Sequence, residues 1–178
     1  MTQSVSSKTP AGPLSAATLE RFAREVAKFP ADKAHSAVMA CLAIVQQELG
    51  YVSEQSEEFV AEYLGMPPIA VHEVTTFYNM YNQEPVGRFK LNVCTNLPCQ
   101  LRGGQDALQH LCKRLGVEMG GTTADGMFTV QQAECLGACA DAPVMLVNDR
   151  QMCSFMTDER LDELVATLAS HAVIERAA

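Results

Sequence analysis

Residues 83–99 read QEPVGRFKLNVCTNLPC, and the fold turns on them. Gln83-Glu84-Pro85-Val86-Gly87 is a run of turn formers that stops a helical periodicity. FKLNVC, residues 89–94, then alternates apolar and polar residues with the period of a strand. A chain that changes its period across a Pro and a Gly changes architecture there, so we place a domain boundary at 83–87.

Upstream, Leu19, Phe22, Val26 and Phe29 recur at helical spacing between Ser15 and Pro30. A second helix is expected from Asp32 as N-cap, carrying Ala34, Val38, Leu42, Val45 and Leu49 to a stop at Gly50. Ser53 or Ser56 opens a third, with Phe59, Val60, Tyr63 and Leu64, before Gly65. A fourth begins at Pro68, since proline is tolerated in a first helical turn, and carries Val71, Val74, Phe77, Tyr78 and Tyr81. Residues 15–83 therefore read as a helical bundle. Residues 1–14 have no apolar core of a secretory signal and no Arg-rich transit pattern, and read as a flexible tail.

Downstream, Gly103-Gly104 precedes a helix through Leu108, Leu111, Cys112 and Leu115 that stops at Gly116. FTVQQ follows an Asp125-Gly126 turn as a strand, and PVMLVND is a further strand beginning at Pro143. A last helix starts after Thr157 with Leu161, Leu164, Val165 and Leu168 inward. Strand, helix, strand, strand, helix makes residues 84–178 a small α/β sandwich, and the whole chain α+β.

The 178 residues are 48% hydrophobic and 19% charged, which suits a globular chain and not a disordered one. Thirteen Lys and Arg against 21 Asp and Glu leave a formal charge of -8, so no nucleic-acid partner is expected. The longest apolar run, Ala37 to Val45, is far short of the roughly 17–25 residues of a bilayer-spanning helix, and any membrane association is expected to be indirect. No GxGxxG after a strand, GK[ST] loop or GxSxG elbow is present, so no nucleotide, flavin or hydrolase site is expected.

Seven cysteines without an export signal read as reduced thiols or metal ligands rather than disulfides. Four form two pairs, Cys94-x4-Cys99 and Cys135-x3-Cys139, each where a strand gives way to a loop. Loops leaving neighbouring parallel strands emerge close together, which brings the two pairs to one point. Four soft anionic sulfurs, two to each iron, suit a [2Fe-2S] cluster. Gly103, Gly104 and Gly137 leave room for close backbone approach, while Leu97, Pro98, Leu101, Leu136 and Met145 are candidates to shield the site. The same spacing is compatible with a structural zinc, which would make the chain a zinc-stapled adaptor, and with unligated core thiols. Neither pair contains the His that a Rieske centre requires. Cys41, Cys112 and Cys153 read as small core hydrophobes, and His110 and the run Asp158-Glu159-Arg160-Leu161-Asp162-Glu163 as solvated. His35, His72 and His171 receive no role.

At TFYNMY (residues 76–81), CTNLPC (94–99) and ECLGACADAPVMLVN (134–148) the sequence resembles the 24 kDa or flavoprotein 2 family, an iron-sulfur component of NADH:quinone oxidoreductase, respiratory complex I. The resemblance covers nearly the whole chain. It implies a thioredoxin-like [2Fe-2S] ferredoxin domain after the helical bundle, with Cys94, Cys99, Cys135 and Cys139 as ligands of one cluster. It further implies docking in the peripheral arm on a flavin-bearing subunit that holds FMN and oxidises NADH, with no NADH site here. The resulting location is cytoplasmic, peripheral to the inner membrane through the complex. Subunits of NAD-linked formate dehydrogenases and bidirectional hydrogenases share the cysteine pattern and are the nearest alternative.

Overall fold

The structure, a computed structural model, describes residues 14–177, with side chains over 14–170. The tail expected over residues 1–14, apart from Leu14, and the side chain of His171 lie outside these residues. The chain divides into two compact units, Met1–Pro85 and Val86–Ala178.

The described part of the first unit is all helical. α1, Ala16–Val26, starts where Ser15 Oγ accepts from the Thr18 N–H, the arrangement that satisfies an orphan donor at a helix start. Its Phe22 is fully buried and meets Tyr63 edge to face at 5.2 Å, so α1 docks on α3, Glu54–Leu64. The helix expected from Asp32 begins later. Ala31–Ala37 is a 3-10 stretch with Lys33 at φ -122°, and α2 is Val38–Leu49. Asp32 therefore caps nothing here, and Val38, Leu42 and Val45 still reach the core. Ser53, not Ser56, caps α3 by accepting from the Ser56 N–H.

α4, Pro68–Phe77, also departs from expectation, ending four residues before Tyr81. Tyr78 is extended, and the chain folds back so that the Tyr81 hydroxyl donates to the Met39 carbonyl at 2.8 Å. The turn after Phe77 carries Tyr81 to α2, and Phe77 is left 80% exposed instead of inward. His72, given no role above, sits with Nδ1 2.8 Å from the buried Glu57 carboxylate, which Thr75 also reaches, linking α3 to α4.

The second unit is a four-stranded sheet in the order β2-β1-β3-β4. β1 is Phe89–Cys94, β2 Phe128–Ala133, β3 Met145–Val147 and β4 Gln151–Cys153. β1 and β2 run parallel in register from Phe89 opposite Phe128 to Cys94 opposite Ala133, while β3 is antiparallel to β1 and to β4. Three helices follow or join these strands: α5, Leu97–Leu101; α6, Gly104–Leu115; and α7, Asp158–Ala177. Leu91, Val93, Val130 and Met145 from the sheet pack with Leu108 and Leu111 of α6 and Leu161 and Val165 of α7.

Two elements are absent from the sequence reading. α5 is a five-residue helix containing Pro98, too short to show a helical period. β4 is three half-exposed or exposed residues with no apolar alternation. The strand expected from Pro143 starts at Met145, after a cis Ala142–Pro143 peptide. His110 is only partly solvated, its side chain 25% exposed. Its Nε2 lies 3.1 Å from Asp162 and its Nδ1 3.4 Å from Asp158, and Arg114 one turn on reaches Asp162 at 3.2 Å. Residues i and i+4 share a helix face, so part of the acidic run binds α7 to α6 rather than facing water alone.

Lys90 is 2% exposed, with Nζ 2.6 Å from the Asp149 carboxylate. Asn92, next but one on β1, donates to the other Asp149 oxygen. Asp149 follows Asn148 in the β3–β4 turn, both at positive φ (55° and 52°), a backbone that Asn and Asp tolerate better than most residues. The turn thus delivers a carboxylate to a lysine that the sheet has buried.

Candidate metal centre

Both cysteine pairs leave the carboxyl ends of the parallel strands. Cys94 is the last residue of β1, and Ala133, its partner on β2, stands two residues before Cys135. The Thr95 N–H donates to the Ala133 carbonyl at 3.2 Å, and Asn96 Nδ2 donates to Glu134 at 3.0 Å, so the departing loops are tied together. α5 places Cys99 one turn beyond Asn96, and Cys139 opens a 3-10 turn, Cys139–Asp141. Cys94, Cys99, Ala142 and Val144 form a small core of their own, against which Leu136 and Ala138 of the second loop pack.

The pairs differ in burial. Cys94 and Cys99 are each 1% exposed, whereas Cys135 and Cys139 face solvent with their sulfurs 3.9 Å apart. Burial, then a hydrogen bond with Cys94 and the negative charge of Cys94 and Cys139 as thiolates, pushes the Cys99 thiol up; a backbone hydrogen bond from Val144 works against this. Cys139 is pushed up first by its hydrogen bond with Cys135, then by burial and by the charges of Cys135 and Cys94. Thiols that raise one another's pKa in this way resist ionising together, and a cation placed among them favours the thiolates.

The donor set is four sulfurs in two pairs. A single tetrahedral zinc holds its sulfurs at about 2.3 Å, hence all about 3.8 Å from one another. Among the described residues no group of three or more His, Cys, Asp or Glu side chains is already gathered around a single point. Four thiols in two sequence pairs, one pair with its sulfurs 3.9 Å apart, are a donor set that suits two irons with two thiolates each, so the residues present fit a [2Fe-2S] group.

Sequence reasoning named Gly104 as room for close backbone approach without showing what it meets, and missed the parts of Val144 and Asn96. Gly104 is wedged against the site: a Cβ there would stand 2.6 Å from the Cys94 carbonyl oxygen and 2.9 Å from that of Cys99. Val144, read as strand, supplies the backbone bond to Cys99. Asn96 caps no helix with its side chain and ties the loops instead. Of the expected shielding residues, Leu136 packs at the site, but Leu97 and Leu101 are 63% and 78% exposed and Met145 belongs to the main sheet core. A five-residue helix that turns Cys99 inward turns its positions 97 and 101 outward.

A parallel β1/β2 pair with two thiol pairs at its carboxyl end belongs to the class of thioredoxin-like [2Fe-2S] ferredoxins, and the family model of that description matches residues 22–169. The chain is 38% identical over 149 residues to NADH-quinone oxidoreductase subunit 2 of Thermus thermophilus, covering 84% of this chain and 82% of that protein. It is 43% identical over 130 residues to the second E-type subunit of NADH-quinone oxidoreductase from Rhizobium meliloti, covering 73% and 76%. The chain belongs to the thioredoxin-like [2Fe-2S] ferredoxin family and, within it, to the E-type subunits of NADH-quinone oxidoreductase. An NAD+-reducing [NiFe]-hydrogenase in the air-oxidised state shares the fold, at a TM-score of 0.64 and 22% identity over 76% of this chain; the chain spans 23% of that longer one. No helix among the described residues is long and apolar enough to cross a membrane.

Proposed function

We propose that this chain is the electron-transfer subunit of an NADH:quinone oxidoreductase. It holds one [2Fe-2S] cluster through Cys94, Cys99, Cys135 and Cys139, and its electron partner is the flavin of an NADH-oxidising subunit. The observation that carries the reading is the pairing of four thiols at the ends of parallel β1 and β2. When bound, the cluster supplies one-electron redox chemistry; the chain supplies position and surroundings. Cys94 and Cys99 form a buried anchor, the Val144 N–H offsets sulfur charge, and Gly104 lets α6 begin against the ligand backbone. Neither NADH nor FMN binds this chain. The ligand domain is residues 84–178, preceded by a helical bundle over 15–83, and the partners are that flavin subunit and its peripheral-arm neighbours. The location is the cytoplasmic side of the inner membrane, reached through the complex.

A corresponding subunit in an NAD-linked hydrogenase or formate dehydrogenase is the second reading, favoured by the shared fold of the hydrogenase chain. Relatives at 38% to 43% identity over most of the chain favour the quinone-linked complex.

The test is iron and acid-labile sulfide on anaerobically purified protein, with an EPR spectrum after dithionite. About two irons and two sulfides per chain and a rhombic signal are expected. About one zinc, no sulfide and no signal would make the four cysteines a structural clamp and overturn the reading. Gly104→Ala is expected to lower iron and sulfide together, because its methyl would press on the Cys94 and Cys99 carbonyls. Full cluster content in that variant would show that the ligand backbone need not approach α6.

A further inference from the structure

The four thiols are unequal in access, and the two exposed ones are neighbours. Cys135 and Cys139 are exposed, lie on one loop and hold their sulfurs 3.9 Å apart. Gly137 stands between them at φ 77°, so the loop is already bent to bring its ends together. A disulfide requires sulfurs at about 2.05 Å with the Cβ atoms about 3.5–4.5 Å apart. Side-chain rotation on an exposed loop closes such a gap more readily than movement of a strand end. Cys94 and Cys99, each 1% exposed beneath Leu136 and Ala138, offer no such access to a reagent in solution. Cys41 is fully buried in the helical unit.

We propose that in the cluster-free chain Cys135 and Cys139 form a reversible disulfide with a low-molecular-weight disulfide as oxidant, and that this bond closes the site to iron and sulfide. The inference rests on the ligand reading above. One protein thiolate attacks a sulfur of the oxidant RSSR, forming a mixed disulfide and releasing RS⁻. The second protein thiolate attacks the protein sulfur of that mixed disulfide and expels the other RS⁻. The two protein thiols lose two protons and two electrons, and RSSR becomes two RSH. The product keeps Cys94 and Cys99 as free thiols but has lost both ligands of one iron. A thiol reductant reverses it.

The experiment uses the reduced, cluster-free full chain exposed to oxidised glutathione, quenched by alkylation, and read by intact mass and peptide mapping. The expected product is lighter by two hydrogens, links Cys135 to Cys139, and forms at least about tenfold faster than any product at Cys94 or Cys99, because access limits exchange. Circular dichroism is expected to be unchanged. The oxidised chain is expected to take up no iron and sulfide until reduced. A folded chain that forms no such bond, or that oxidises Cys94 and Cys99 as fast, overturns the proposal; if its reduced form still loads a cluster, the ligand reading stands without it. An oxidised chain that loads as well as the reduced one also overturns it. A reduced chain that takes up neither iron nor sulfide defeats the ligand reading, and the gate with it.

Discussion

Cys99→Ser and Cys135→Ser are each expected to reduce the iron and sulfide content of the anaerobically purified chain to a small fraction of the unsubstituted level, while Cys41→Ala leaves it unchanged. A serine oxygen is a harder donor than thiolate, so one replacement leaves an iron with a mismatched ligand. The two positions test opposite halves of the site. Cys99 is buried and receives the Val144 backbone bond, whereas Cys135 is exposed. Cys41 is the control because it is fully buried in the helical core, with its thiol pushed up to about 12 by burial and by the Glu25 charge. A thiol so placed acts as a small hydrophobe. Equal cluster content in all three variants would remove Cys99 and Cys135 from the role assigned to them.

Asp149→Asn is expected to destabilise the folded chain by about 3 kcal/mol, since removing one partner of a buried ion pair leaves charge in a poor environment. Lys90 is 2% exposed and Asp149 only partly buried, which places the effect at the lower end of the range for buried pairs. Asparagine keeps the side-chain shape and tolerates the φ of 55° at this turn position, so the loss reports the charge and not the backbone. The double variant Lys90→Met/Asp149→Asn is expected to recover most of it, because an apolar side chain needs no counter-ion. Urea unfolding of the single and double variants measures both. A single variant as stable as the parent would mean that the pair contributes nothing net to folding.

The residues that fix the site were readable because their signals are local. Period-two alternation in FKLNVC located β1, and the parallel relation of β1 to FTVQQ placed both cysteine pairs at one sheet end, as found. What escaped was set by tertiary contact. α4 stops at Phe77 because Tyr81 has a hydroxyl partner on α2, a pairing 42 residues apart that no periodicity reports. α5 escapes because five residues with a proline carry no period, and without its rotation the sequence points Leu97 and Leu101 inward. His110 looks solvated from its own helix alone, because its partners Asp158 and Asp162 sit on another. Gly104 drew notice as a glycine, but only the carbonyls facing it reveal what it makes room for.

The parallel pairing of β1 with β2 also decides where this chain can tolerate change in length. Residues 116–127 connect α6 to the amino end of β2, and six strand residues at about 3.3 Å each put the thiol end about 17 Å further along. Insertions and deletions in the part of that connection outside residues 120–123, which are hydrogen-bonded to β2, alter the count between the two cysteine pairs without moving either pair. One residue added inside β2 shifts its remainder by a full pleat, turning side chains to the opposite face and carrying Cys135 away from Cys94. Among homologues the number of residues separating the pairs should therefore drift, while the step from the last β2 residue to Cys135, and the spacing within each pair, should stay fixed.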